Sequence, residues 1–262
     1  MLGEGPRPGY LDGVLQTAFD LSRVFGSQTI AEAGARLDDQ GLLILSDYPA
    51  PRLSSEEQAR LVELVERDGR GLLMIGGWAS FAGPRGSYHG SRLAEILPVE
   101  LRPADDRVNT PLGTVLIARR EAHPAIATVR GREPCVVVGY NDVRAREGAT
   151  VLVEGHHLRV IEPSPGPGAW IIATAEGRRV SRGGGLPRWE REVRLERAQT
   201  PMLTVWERGA GRVGALAPDM SPHWAGGIID WGLERVRLPT GNEVGHLYRA
   251  FLIDLCRWLM TG

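Results

Sequence analysis

The sequence contains no lysine. All 31 of its basic residues are arginine, which excludes Schiff-base chemistry, a P-loop lysine and a lysine general base. Cysteine is scarce as well. The two that occur, Cys135 and Cys256, sit inside the apolar runs "PCVVVGY" and "FLIDLCRWL", a placement that fits buried free thiols in a reducing compartment. An excess of either charge is missing: 31 basic against 32 acidic residues leave a formal net charge of -1. Nothing in that balance draws the chain to nucleic acid or to an anionic membrane. No apolar run approaches the ~20 residues of a membrane span, and "MLGEGPRPGY" has neither the basic nor the apolar region of a signal peptide. A cytoplasmic location is therefore expected. Neither H-x-x-x-H, H-E-x-x-H nor paired-cysteine spacings occur, and no G-x-G-x-x-G follows a strand and opens a helix. No metal and no cofactor is expected.

What is present is an ordinary globular composition, 42% hydrophobic and 24% charged over 262 residues. That length is near the upper limit for one domain, and residues 1–262 are read as a single one. Leu11, Val14, Leu15, Phe19, Leu21 and Val24 fall close to one helical stripe, predicting a helix over 10–24. "GLLILSD" (41–47) is a short apolar run that reads as a buried strand. "LSSEEQARLVELVERDG" follows, with Ser54 or Ser55 as N-cap, acidic residues in the first turn and Gly69 as the stop. "GLLMIGG" (71–77) is a second buried strand, so residues 41–77 read as a βαβ unit with a right-handed crossover. Further strands are predicted at "GTVLIA", "PCVVVGY", "ATVLVE" and, joined by a glycine turn, across 201–219. A short helix is expected at "AHPAIATV", and an amphipathic helix at "NEVGHLYRAFLIDLCRWLM". Residues 155–200 are the least regular stretch, with "PSPGPGAW" and three consecutive glycines, and predict an irregular or β insert.

Three segments carry a resemblance: "GLLMIGGWASFAGPRGSYHGSRLAEILPVEL" (71–101), "HPAIATV" to "VVVGYNDV" (123–143) and "GRVGALAPDMSPHWAGGIIDW" (211–231). Together they resemble a bacterial branch of the class I glutamine amidotransferase-like superfamily, through Gly-Gly-Trp, Tyr-His-Gly and Asp-x-x-Pro-His-Trp in that order. The resemblance implies a flavodoxin-like three-layer α/β sandwich with a mainly parallel central sheet and helices on both faces. Ligand sites in such sheets lie beyond the carboxyl ends of the strands. Only Met1 and Leu2 precede "GEGP", so the family's first strand is expected to be shortened or absent.

In active members of that superfamily a Cys at the elbow after a central strand attacks the substrate, activated by a His after a late strand. Here the elbow is Gly76-Gly77-Trp78, and neither cysteine falls at a strand-to-helix turn. Without a thiolate the covalent route to glutamine hydrolysis is closed; Ser80 lies too far round the turn to replace it. His223 occupies the place of the family's histidine. Ala225 stands where an acidic partner would be, leaving Asp219 as the residue that could orient it. Tyr88 and His89 lie on a glycine-bearing loop that could fold back toward the elbow, and Asp47 ends a strand. The expected site comprises His223, Asp219 and His89 as candidate acid-base groups, with Asp47, Gly76, Gly77, Trp78, Tyr88 and Trp224 lining a pocket.

Two functions remain open on these residues. One is a binding or assembly module without glutaminase activity, taking a small polar metabolite and plausibly forming a homo-oligomer. The other is a hydrolase of a small polar metabolite, with His223 as base and the Gly76 and Gly77 amides as an oxyanion site. The first expects Trp78 to fill the elbow and His223 to bond backbone; the second needs His223, His89 and Asp47 to converge.

Overall fold

The computed structural model describes every residue except 4, 6–8, 162–169, 175–176, 182–187, 190–191, 222 and 262; side chains at 159–161, 170–174, 177–181, 188–189, 192–194 and 196–199 are likewise outside the description. In chain order its first half holds β1 (Leu2–Gly3), α1 (Tyr10–Gln16), β2 (Leu42–Ser46), α2 (Ser55–Glu66), β3 (Gly71–Ile75), α3 (Arg92–Ile96), β4 (Val99–Glu100), β5 (Arg107–Ala118) and β6 (Cys135–Asn141). Then come β7 (Arg144–Ala145), β8 (Thr150–Ile161), β9 (Trp170–Thr174), β10 (Gly177–Ser181), β11 (Arg188–Trp189) and β12 (Glu192–Arg208). The chain closes with β13 (Gly211–Leu216), β14 (Arg235–Arg237), β15 (Glu243–Gly245) and α4 (His246–Leu259).

An eight-stranded sheet of order β1-β2-β3-β13-β12-β8-β5-β6 organises the chain. Its first four strands are parallel, and β2 and β3 are buried almost throughout, as the continuous apolar runs foretold. From β13 onward every pairing is antiparallel. The expected mainly parallel sheet is thus corrected to a mixed one, parallel at one end only. The cause is chain length between strands: a parallel pair needs a crossover, whereas the short turn from Arg208 to Gly211 returns the chain directly as a hairpin.

Helices cover both faces of the parallel half. In β13, Arg212 bonds the Trp258 carbonyl of α4, and a Cβ on Gly214 would meet Leu259 of the same helix. The alternate residue Gly211 faces the Val65 carbonyl of α2. Successive strand residues point to opposite faces, so α4 and α2 lie on opposite sides. Helix α2 begins as its sequence dictates: Ser54 accepts from the Glu57 amide, and the Glu57 carboxylate accepts from the Ser54 amide at 2.8 Å.

The helix predicted over 10–24 stops at Gln16. Beyond it, Val24 leaves the helical stripe to pair with the first strand; its amide donates to the Met1 carbonyl, and the Gly3 amide to the Val24 carbonyl. Sheet pairing outweighs the local periodicity there. The first strand is present but only two residues long. "AHPAIATV" yields a single 3-10 turn, Pro124–Ile126. In the predicted insert, β8 and β12 run on as one long ladder, with register shifts around Pro201, which cannot donate to it. Between them β9, β10 and β11 form a small sheet; "PSPGPGA" (163–169) lies outside the described residues.

The antiparallel half curls back on the parallel half. Asn141, at the end of the edge strand β6, donates its amide to the carbonyl of Ala217, which directly follows β13. The loop leaving β13 then runs along β6, and Val138 donates to the Trp224 carbonyl at 2.9 Å. That loop occupies an edge that would otherwise present unpaired backbone. Replacing Ser54 with Ala removes the reciprocal cap of α2. Chemical denaturation should show a loss of about 1 kcal/mol, with the sheet's far-ultraviolet dichroism unchanged.

Candidate functional site

At the carboxyl ends of β2, β3 and β13 the chain builds the place where a nucleophile elbow would stand. Strand β3 ends at Ile75, and the backbone turns at Gly77 with φ of 149°, a conformation that favours glycine. No helix follows the turn directly; α3 starts only at Arg92 and has five residues. A side chain at the elbow would therefore lack the helix N-terminus that lowers a thiol's pKa.

The space such a side chain would need is taken. A Cβ built on Gly77 would overlap Asp47 Oδ1 and lie 2.6 Å from its Cγ. A Cβ on Gly76 would overlap the Ala217 carbonyl oxygen and stand 2.9 Å from Asn141 Oδ1. Asp47 itself adopts φ of 51°, which aspartate tolerates better than most residues. Its Oδ1 accepts from the Ala79 amide at 2.7 Å, and its own amide donates to Ser80 Oγ at 3.1 Å. Ser80 is buried and bound to Asp47, so its hydroxyl fastens the turn.

From the other side, Asn141 holds Gly77. Its Oδ1 accepts from the Gly77 amide at 2.8 Å, and its Nδ2 donates to the Gly77 carbonyl at 3.3 Å and to Asp106 Oδ1 at 2.6 Å. The second Asp106 oxygen accepts from the Ala82 amide at 2.9 Å. Burial pushes the Asp106 carboxyl above its ordinary value, against the opposing pull of the bonds from Asn141 and Ala82. Sequence reasoning passed over Asn141 and Asp106. Only "YND" at the end of a predicted strand marks the first, and its spatial partner is 64 residues away.

The Gly76 amide donates to the Leu216 carbonyl at 2.7 Å, so both amides proposed for an oxyanion site are engaged within the fold. Trp78 does not fill the elbow. It is 45% exposed, with the Arg107 guanidinium 4.1 Å over its ring, and Arg107 is itself paired to Asp105 at 2.8 Å. His223 projects from the loop after β13 and its side chain is 73% exposed; its Nδ1 lies 4.0 Å from Oδ2 of the fully buried Asp219. Asp219 Oδ1 accepts from the Ser221 amide at 2.7 Å. Trp224 is packed over Gly139 and donates its indole N–H to Asn109 Oδ1 at 2.9 Å. Tyr88 is buried, its hydroxyl donating to the Tyr48 carbonyl at 2.6 Å. His89 is exposed and lines a surface hollow of about 180 Å³ with Glu95, Glu100 and Arg146; that hollow's wall contains neither Asp47 nor His223. Cys135 and Cys256 are free and buried, and burial pushes the Cys256 thiol up to about 12. Among the described residues no cluster of His, Cys, Asp and Glu could hold a metal ion, and no helix is long and apolar enough to cross a membrane.

Residues 43–162 match a family model described as "Putative glutamine amidotransferase", which supports a place in that superfamily. The matched span takes in Asp47, the Gly76-Gly77 turn and Asn141. No curated protein matches the chain. The fold is similar to that of two cytoplasmic proteins of Salmonella typhimurium, one 21% identical with a TM-score of 0.62 and one 20% identical with a TM-score of 0.65; each alignment covers 98% of this chain and 97% of the other. A ThuA-like protein of Parabacteroides merdae, 12% identical, aligns over 100% of this chain and 89% of its own with a TM-score of 0.55. At these identities the likeness is one of fold.

Asn141→Ala should lower stability by about 3 kcal/mol, because it takes the acceptor from the buried Gly77 amide and the amide donor from Asp106 Oδ1. Asp106→Asn supplies a pH test. In wild type the folded state holds the Asp106 proton more tightly than the unfolded state, so its stability falls as pH rises from the ordinary carboxylate range through the raised folded value. Denaturant unfolding between pH 4 and 7 should show the wild-type margin over Asp106→Asn narrowing as pH rises.

Proposed function

We propose that this chain is a glutamine amidotransferase-like protein without cysteine-dependent glutaminase chemistry, acting in the cytoplasm as a small-molecule-binding or assembly module. The observation that carries the reading is the Asp47 carboxylate beside Gly77, in the volume a nucleophilic side chain would occupy. Glutamine hydrolysis in this superfamily needs a thiolate at the elbow. Here the turn is glycine, the neighbouring carboxylate opposes formation of a second anion, and no helix begins behind it. The description of two similar folds as cytoplasmic proteins supports the location.

The exposed rim of the elbow, with Trp78 under Arg107 and His223 beside buried Asp219, is the surface on which such a module would receive a small polar molecule or a second copy of the chain. Acid-base work by His223 at that rim is the alternative hydrolase reading. The 4.0 Å approach to Asp219 favours it, while the engaged amides of Gly76 and Gly77 weigh against it.

Purified protein incubated with L-glutamine should release no ammonia above a heat-inactivated control. Gly77→Cys should remain inactive and lose roughly 1–3 kcal/mol, since a side chain there is both strained and crowded. Ammonia release that survives purification and disappears in Ser80→Ala would overturn the reading.

A further inference from the structure

A groove of about 600 Å³ lies away from the elbow, between the two-stranded ladder of β4 and β7 and the long ladder of β8 and β12. None of the elbow residues lines it. One wall carries Glu100, Arg102, Asp142 and Arg144; the opposite wall carries Val151, Glu154, Thr200 and Pro201.

Its charges are arranged unusually. Glu100 and Arg144 are directly opposed across the antiparallel β4–β7 pair, so their side chains leave the ladder on the same face with Cβ atoms about 5 Å apart. Opposed Glu and Arg at such a position ordinarily close on each other. Among the described residues neither makes an ion pair or hydrogen bond through its side chain, and both are exposed at the groove. The charges around them are already matched: Arg102 to Asp142 at 2.6 Å and Glu154 to Arg119 at 3.4 Å. One cation and one anion, side by side in a concave wall, are thus left over.

The far side of the groove is polar at Thr200. Thr200 lines the groove beside the Tyr140 side chain, whose hydroxyl meets His157 Nε2 at 2.7 Å. Tyr140 is 3% exposed. The Thr200 hydroxyl, donor and acceptor at once, is thus available to whatever occupies the groove.

We propose that this groove binds a small zwitterion, a free α-amino acid or a short peptide, whose carboxylate is taken by Arg144 and whose ammonium is taken by Glu100. Guanidinium suits a carboxylate because it donates in a bidentate fork, and a carboxylate suits an ammonium because it accepts from two sides. The volume is within the usual range for small-ligand sites and exceeds that of a single amino acid, which leaves room for a second or third residue along Val151 and Pro201. The site is independent of the elbow and of whether the elbow is closed to nucleophiles.

Isothermal titration of the full chain with L-glutamine and, separately, with tri-L-alanine tests this directly, with the uncharged analogue Nα-acetyl-L-alanine amide as control. At least one zwitterion should bind saturably and the control should not. Arg144→Gln and Glu100→Gln should each weaken that binding at least tenfold with the melting temperature unchanged, because both side chains are exposed and, among the described residues, unpaired. The preferred probe separates the two sources, free amino acid or peptide. Failure of both zwitterions to bind, or equal affinity in wild type and both variants, would overturn the proposal.

Discussion

The bond pair between Gly77 and Asn141 is the contact on which the rest of the molecule depends. Asn141 stands at the end of the edge strand, yet its side chain accepts from and donates to the turn that follows the central strand β3, and its amide reaches the exit of β13. One residue thereby closes the curled antiparallel half onto the parallel half. Since it is fully buried, each of these bonds replaces water that cannot enter, and none can be released cheaply. Asp106 fixes the amide from behind, so the orientation of Asn141 is set by partners on both sides.

That closure explains why the elbow keeps its bend without its chemistry. A catalytic elbow needs a free volume above the turn, amides left open toward the substrate, and a helix behind the nucleophile. Here the volume holds Asp47, the amides donate to Leu216 and Asn141, and the next helix is fifteen residues on and short. Among the described residues, three besides glycine adopt positive φ, Asp47, Phe81 and Ser87, all in or facing this loop. Such backbone persists only where surrounding bonds overdetermine it. The Tyr88 amide to the Phe81 carbonyl, the Tyr88 hydroxyl to the Tyr48 carbonyl and the Ser80 hydroxyl from the Asp47 amide supply those bonds. The loop is tied at many points, which suits a platform better than a lid.

Much of the parallel half was legible in the sequence. The runs 41–47 and 71–77 and the capping box between them are local signals, and their strands and helix follow within a residue or two. The absence of an elbow nucleophile was equally plain, because it is a matter of residue identity. What could not be read is long-range. Val24 belongs to a helical stripe by period and to the sheet by pairing; only the folded chain shows which prevails. Whether β13 continues a parallel sheet or opens an antiparallel one depends on what its neighbours become. Asp47 was seen as the end of a strand, but nothing local says that its carboxylate reaches the turn thirty residues later. Asn141 carried only its place at the end of a predicted strand. The approach of His89 to the elbow rested on its loop's freedom to fold back, a freedom that the bonds from the Ala50 amide to the Gly86 carbonyl and from the Tyr88 amide to the Phe81 carbonyl restrict.

The central claim is that Asp47 occupies the elbow's side-chain volume, and a double-mutant cycle between Gly77→Ala and Asp47→Gly measures it most directly. Both single variants and the double variant would be unfolded in denaturant under one buffer condition. If the carboxylate fills that volume, Gly77→Ala costs markedly less in the Asp47→Gly background than in wild type, with a coupling of about 1 kcal/mol or more. Additive costs, with the alanine equally harmful whether or not Asp47 is present, would contradict it.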